Sequence, residues 1–192
     1  AFIVIVMYGS AVWLPPGLAR TDVDLNNINA PPSLEHPMGT DQAGADIFAR
    51  ILIGGRVSLT VGFLAMFLAI TLGTVVGAFS GYYGGKVDSI LMRITDTMLS
   101  VPLLMVVVVL AAALRGTLDT VTVIIIVIGI TNWMTVARIV RANFLSLRGK
   151  EFVEAARCIG APNGRIIFRH ILPNTAAPII VAATLEIAQA IL

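Results

Sequence analysis

Long apolar runs alternate with polar, charged segments along this chain, the pattern expected of a membrane protein with several spans. Charged residues are absent from 57–85, from 97–114 and from 120–137, and the chain begins and ends in apolar sequence. A transmembrane helix needs about 20 apolar residues, and flanking charged side chains can reach the membrane surface from a slightly shorter run. We therefore predict a partial span over 1–14 and further spans over 57–79, 98–114, 120–137 and 171–192.

Composition supports an all-α polytopic membrane protein that forms one transmembrane domain over 1–192. Hydrophobic residues make up 57% of the chain and charged residues only 12%, whereas soluble domains carry about 25% charged residues. The net charge of +2 is too small to indicate a nucleic-acid partner. Cys158 is the only cysteine, which excludes an internal disulfide, and we interpret it as a small apolar residue without a redox role. Since both terminal runs are cut abruptly, we expect an incomplete first span and at least one further helix after Leu192.

The loops differ in charge, which predicts their orientation. Seven Lys and Arg residues lie between 138 and 169, whereas the 15–53 segment is richer in acids. Because basic loops stay in the cytoplasm, the 142–170 loop and the 80–95 loop are predicted to be cytoplasmic and 15–53 external. The external segment is expected to end in a short amphipathic helix that reaches Ile53.

Small residues recur every four positions in the second span, at Gly73, Gly77 and Gly81. This spacing lets two helix backbones approach closely in a membrane; the alternative is that these glycines are merely tolerated. The glycine-rich turn that follows does not form a phosphate-binding loop, because Val87 follows Lys86 where that motif has Ser or Thr. No nucleotide site, metal site or other cofactor site is predicted in this chain.

A few polar residues lie inside predicted spans or next to them. Glu186 is costly in a membrane unless it faces protein or water, so it is a candidate for the translocation path together with Gln189 and Asn132. The alternative is a structural hydrogen bond between spans. Asp96 is expected to pair with Arg93 or with a neighbouring subunit. In the predicted topology His36 and His170 lie on opposite sides of the membrane, which excludes a shared metal site.

The basic loop before the last apolar run carries the main functional signal. The pattern predicts a helix from Phe144 to Ile159, ended by Gly160, with Pro162 in the first turn of a second helix. From the residues alone, this helix–turn–helix either projects to meet another protein or lies on lipid headgroups.

The spacing of this loop resembles a known family. Glu154-Ala155-Ala156, then Gly160, then Leu172-Pro173 is similar to the EAA loop of ABC importer permeases. The segments 169–174 and 36–44 look like the dipeptide, oligopeptide and nickel branch. His170 departs from the general pattern, which has isoleucine there. Ala45 stands where the branch usually has arginine, so any role of that arginine is not carried over.

The resemblance implies the fold and mechanism of a type I ABC importer permease with six spans, of which about five are present here. It implies that Glu154, Ala155, Ala156 and Gly160 form a coupling helix that contacts a cytoplasmic ATPase, which binds ATP and Mg²⁺. The implied partners are a homologous second permease subunit, two ATPase subunits and an extracytoplasmic substrate-binding protein, in the lipid of a bacterial or archaeal cell membrane. The solute, whether dipeptide, oligopeptide, nickel or another, is left open.

Two other classes of function fit parts of the sequence. A secondary transporter or channel not driven by ATP would show repeated halves with broken helices, and no such repeat is evident. A membrane scaffold that does not transport would need only the docking loop.

Overall fold

The computed structural model describes residues 27–114 and 116–191, without the side chain of Leu103. The predicted partial span over 1–14 lies outside this part of the chain. The chain divides into two compact units, Ala1–Thr60 and Val61–Leu192. The described residues form seven helices, which we number in chain order: α1 Ile47–Tyr83, α2 Gly85–Ser100, α3 Leu103–Leu114, α4 Thr120–Leu147, α5 Glu151–Cys158, α6 Asn163–Asn174 and α7 Ala176–Ile191. α6 contains a π-helical stretch, Ile166–Ile171.

The described part of the first unit begins with a polar loop, residues 27–46, that leads into α1. Asp41 accepts hydrogen bonds from the backbone N–H groups of Ala43 (2.8 Å) and Ala45 (3.0 Å), and these bonds lower the pKa of Asp41 below its ordinary value. Asp46 caps α1 by accepting the N–H of Ala49 at 2.9 Å, and its other oxygen lies 2.8 Å from Nδ1 of His36. An isolated β-bridge between Thr40 and Asp46 closes the loop.

α1 is a single helix of 37 residues. The prediction of a separate short helix ending at Ile53 is therefore wrong. Gly54-Gly55 weakens a helix by about 1 kcal/mol per residue but does not break it, and the segment contains no proline. At 1.5 Å per residue α1 is about 55 Å long, longer than the ~30 Å hydrocarbon core.

α2 and α3 are separated by a bend at Pro102. Val101 ends α2 in an extended conformation (φ −79°, ψ 131°) because a residue before proline is disfavoured in the helical region. α3 has only 12 residues and rises about 18 Å, which is too short to cross a membrane alone. The apolar run at 98–114 therefore begins in the last turn of α2 and continues through α3.

α4 is the central helix of the second unit and contacts α2, α3 and α7. Asp119 caps its first turn by accepting the N–H of Thr122 at 2.9 Å. α4 continues to Leu147, past residue 137 where the predicted span ends. Arginine is a good helix former, and the side chains of Arg138 and Arg141 both find carboxylate partners on α2.

Two helices of the described residues, α1 and α4, are each long and apolar enough to cross a membrane. The number rises to four if the bent pairs α2–α3 and α6–α7 each count as one span. α6 and α7 meet at an angle of 65° around Thr175. The all-α fold predicted for this membrane protein is confirmed.

Candidate functional site

Three glycines bring α1 against α4. A Cβ added to Gly73 would lie 2.5 Å from Cβ of Val136, and one added to Gly77 would lie 2.4 Å from the carbonyl oxygen of Ala137. At Gly81 the added atom would meet Cβ of Phe144 at 2.5 Å. These distances leave no room for a side chain, so we call this contact between α1 and α4 the glycine seam.

The basic loop follows α4, the helix that forms one side of the glycine seam. The prediction of one helix from Phe144 to Ile159 is wrong, because α4 ends at Leu147 and a short turn containing Gly149 precedes α5. Glu151 and Glu154 occupy the first turn of α5 and Arg157 its last turn, the charge order that stabilises a helix dipole. We call α5, the Gly160 turn and α6 (residues 151–174) the hairpin.

Gly160 ends α5 through a Schellman motif. Its N–H donates to the carbonyl of Arg157 at 2.9 Å, and the N–H of Ala161 donates to the carbonyl of Ala156 at 3.0 Å. Gly160 has φ +76°, a conformation that favours glycine, and no atom lies within 4 Å of an added Cβ. The turn therefore requires glycine for its backbone conformation, since space is not limiting.

α5 has one buried face and one bare face. Val153 (0% exposed) and Ala156 (4%) belong to the core, together with Phe144 and the Ile166-Ile167 pair of α6. The four residues predicted to contact a partner therefore differ in exposure. Glu154, Ala155 and Gly160 are exposed, whereas Ala156 is buried. The reason is helical spacing, because Ala156 lies three residues after Val153 and shares its inward face.

The exposed face also carries apolar residues that sequence reasoning did not single out. Ile159 is 84% exposed and Phe152 is 39% exposed. With Ala155 they are spaced i, i+3, i+7, so they lie on one side of the helix. This periodicity was the signal in the sequence. The three residues face outward because Val153 and Ala156 occupy the inward positions of the helix.

Tyr82, at the end of α1, contacts both helices of the hairpin. Its hydroxyl donates to Oδ1 of Asn163 at 2.8 Å, and the guanidinium of Arg157 lies 5.7 Å from the centre of its ring. Sequence reasoning missed Tyr82, because nothing in the local pattern indicates a partner 81 residues away.

Two ion pairs join α2 to α4. Arg141 donates to both carboxylate oxygens of Asp88, through Nη2 at 2.7 Å, and Ser80 also donates to Asp88. The second pair is more exposed and joins Arg138 to Asp96 at 2.5 Å. The predicted pairing of Asp96 with Arg93 is therefore wrong; the partner is on the neighbouring helix.

The polar residues predicted inside the spans separate into two environments. Nδ2 of Asn132 donates to Oε2 of Glu186 at 2.8 Å, and Glu186 is only 7% exposed. This contact joins α4 to α7, as in the alternative of a hydrogen bond between spans. Gln189 instead lies on the exposed surface.

The glycine-rich turn after α1 allows a backbone conformation that other residues rarely adopt. Gly84 and Gly85 have φ +65° and +51°, and they redirect the chain from α1 into α2. Within the described residues, no cluster of three or more His, Cys, Asp or Glu side chains is arranged to hold a metal ion.

Comparison with known proteins identifies the family. The sequence model for the binding-protein-dependent transport system inner membrane component matches residues 73–192, which include the glycine seam, the hairpin and the Asn132–Glu186 contact. The chain belongs to this family. The family membership and permease fold predicted from the 154–173 motif are confirmed.

Individual members of this family are similar along most of the chain. The oligopeptide transport system permease protein of Haemophilus influenzae is 42% identical over 191 residues, covering 98% of this chain and 60% of that protein. A dipeptide transport system permease protein of Alkalihalophilus pseudofirmus is 47% identical over 161 residues, covering 84% and 52%. The oligopeptide permease of Bacillus subtilis is 40% identical over 192 residues, covering 98% and 62%. The chain thus spans between half and two thirds of the length of these relatives.

Proposed function

We propose that this chain forms part of the transmembrane subunit of an ATP-driven peptide importer. The subunit supplies half of the translocation path, and the hairpin couples it to a cytoplasmic ATPase. Support comes from the family assignment and from relatives named for oligopeptide and dipeptide transport.

The proposal includes the partners that such an importer needs. A homologous second permease subunit supplies the other half of the path, and an extracytoplasmic binding protein delivers the peptide. Two ATPase subunits bind ATP and Mg²⁺ on the cytoplasmic side, and the seven Lys and Arg residues between 138 and 169 favour the same side for the hairpin.

The observation that carries the proposal is that one face of α5 is buried and the other is exposed. One side is fixed in the core through Val153 and Ala156, while the other presents Phe152, Ala155 and Ile159. An apolar stripe bordered by the carboxylates of Glu151 and Glu154 suits a groove on a partner protein. Helices that bind in grooves contact them through apolar residues at this helical spacing. Exposed apolar side chains of this kind are typical of a surface that contacts protein or membrane.

The anchored side explains how force is transmitted. When two ATPases close on ATP, the bound α5 of each permease subunit moves with them. Since Val153 and Ala156 are packed with Phe144 of α4, the hairpin moves as a rigid element and carries α4 with it. Packed elements shift between discrete arrangements, and this turns a small displacement at the hairpin into rotation of the spans.

The Glu186–Asn132 contact is a second part of the proposal. We place it beside the translocation path, with Gln189 on the surface that the second subunit would face. Measuring peptide uptake by Glu186→Gln tests this role, and normal uptake at normal expression would remove it.

Replacing Gly160 tests the coupling function. Valine is strained at φ +76°, so Gly160→Val disrupts the turn that sets the direction of α5. In the full-length subunit reconstituted with its ATPases and binding protein, we expect inserted protein that transports little peptide and no longer stimulates ATP hydrolysis when substrate is supplied. Gly164→Ala is the matched control, because Gly164 is helical and an added Cβ meets nothing within 4 Å.

Normal substrate-stimulated ATP hydrolysis by Gly160→Val would contradict the coupling role. Uptake that follows a proton or sodium gradient without ATP would instead favour a secondary transporter.

A further inference from the structure

The side chain of Tyr82, on α1, makes both a polar contact and a ring contact with the hairpin. It is 6% exposed and belongs to the core that includes Val153 and Ile166. Its hydroxyl meets Asn163 at the start of α6, and its ring lies beneath Arg157 in the last turn of α5. One side chain therefore touches the hairpin on both sides of the Gly160 turn.

α1 and α4 are attached to the hairpin in different ways. α4 leads into α5 through a turn of three residues, so any movement of α5 pulls directly on α4. α1 has no such covalent connection, because Tyr82 and Asn163 are 81 residues apart in the chain. The movement of α1 must be carried by non-covalent contacts.

The contacts of Tyr82 differ in how strictly they fix the position of α1 relative to the hairpin. Apolar packing between Tyr82 and the core is not directional, whereas a hydrogen bond at 2.8 Å restricts both distance and angle. The Arg157 guanidinium adds a contact on the ring face at 5.7 Å. Together they fix the last turn of α1 relative to both helices of the hairpin.

We propose that Tyr82 is a positioning residue that transmits movement of the hairpin to α1. This inference rests on the proposed coupling function and assigns one route within it. When the ATPases move α5, the Tyr82–Asn163 hydrogen bond makes the end of α1 follow, and the glycine seam keeps α1 and α4 in register.

The test compares two adjacent tyrosines in the full-length subunit assembled with its partners. Tyr82→Phe removes the hydroxyl and keeps the ring, while Tyr83→Phe does the same at a neighbour that is 47% exposed and stacks on Phe79. We expect Tyr82→Phe to lower the amount of peptide transported per ATP hydrolysed by several fold, with ATPase association unchanged. Tyr83→Phe should leave this ratio unaltered.

Asn163→Ala provides a second variant that removes the same hydrogen bond from an exposed position. It should lower the ratio to a similar extent, and the double variant should lower it no further. Backbone amides of residues 151–163 should exchange with solvent about fivefold faster in either variant, the factor expected from losing one intramolecular hydrogen bond.

An unchanged ratio in both Tyr82→Phe and Asn163→Ala would overturn the proposal and leave the coupling function intact. A parallel fall in uptake and ATP hydrolysis, with the ratio constant, would also overturn it, because that is the effect of lost stability alone. If the unmodified complex transports no peptide with ATP, the proposed function itself fails and this inference with it.

Discussion

The glycine seam and the hairpin both depend on glycine, but for opposite physical reasons. In the seam, an added Cβ on Gly77 would lie 2.4 Å from a backbone oxygen of α4. In the hairpin, Gly160 has open space around it but a backbone φ of +76°. The seam glycines are therefore needed for close approach of two helices, and the hairpin glycine for the direction of the chain.

The difference suits the part that each region plays in the proposed mechanism. Because the seam glycines have no side chains, α1 packs closely against the backbone and Cβ atoms of α4, and this close packing holds the two helices together. The hairpin instead has to present a bare surface at a fixed angle, which the Schellman motif at Gly160 provides. In the proposed mechanism the seam keeps α1 and α4 together, and the hairpin turn sets the direction of α5.

The largest effect is expected in the seam. Gly77→Ala places a methyl group against the carbonyl of Ala137 and the Cβ of Val140, so the two helices must separate. Overpacking of this kind costs about 1–3 kcal/mol. We expect a clearly lower unfolding temperature for the purified subunit in detergent, measured by thermal unfolding.

Gly54→Ala is the control for this change. Gly54 lies in the same helix, and nothing is within 4 Å of its added Cβ, so alanine there should be neutral or slightly stabilising. Equal unfolding temperatures for the Gly77 and Gly54 variants would show that α1 and α4 do not approach as described.

A smaller and more local effect is expected in the hairpin. Gly160→Ala forces a non-glycine residue into a left-handed conformation, at a cost of about 1–2 kcal/mol. Since the turn is exposed, the global unfolding temperature should change little, while hydrogen exchange at residues 151–161 should accelerate. Gly164→Ala, in regular helix, should leave that exchange unchanged or slower. Faster exchange in both variants would remove the distinction between the two glycines.

Much of this arrangement is readable from the sequence because its signals are local. The four-residue spacing of Gly73, Gly77 and Gly81 and the stop at Gly160 depend only on neighbouring positions. The long apolar helices α1 and α4 follow likewise from runs without charge.

Contacts between distant segments could not be read in the same way. Asp96 has Arg93 nearby in sequence, yet it pairs with Arg138, because α2 packs against α4. The role of Ala156 depends on which face of α5 the core occupies, and that follows from Val153 meeting Phe144 and Ile166. Tyr82 gives no local signal at all, since its partner Asn163 is brought to it only by the folded hairpin.

Crosslinking from Cys158 tests the central claim most directly. Cys158 is exposed at the end of α5, next to Ile159, and any cysteine elsewhere in the full-length subunit can be replaced by serine. With a short photoactivatable crosslinker on Cys158 in inverted membrane vesicles that contain the complete transporter, we expect a covalent product with the ATPase subunit. Labelling of Cys158 in intact cells by a reagent that cannot cross the membrane would contradict the account, because the hairpin would then face the outside.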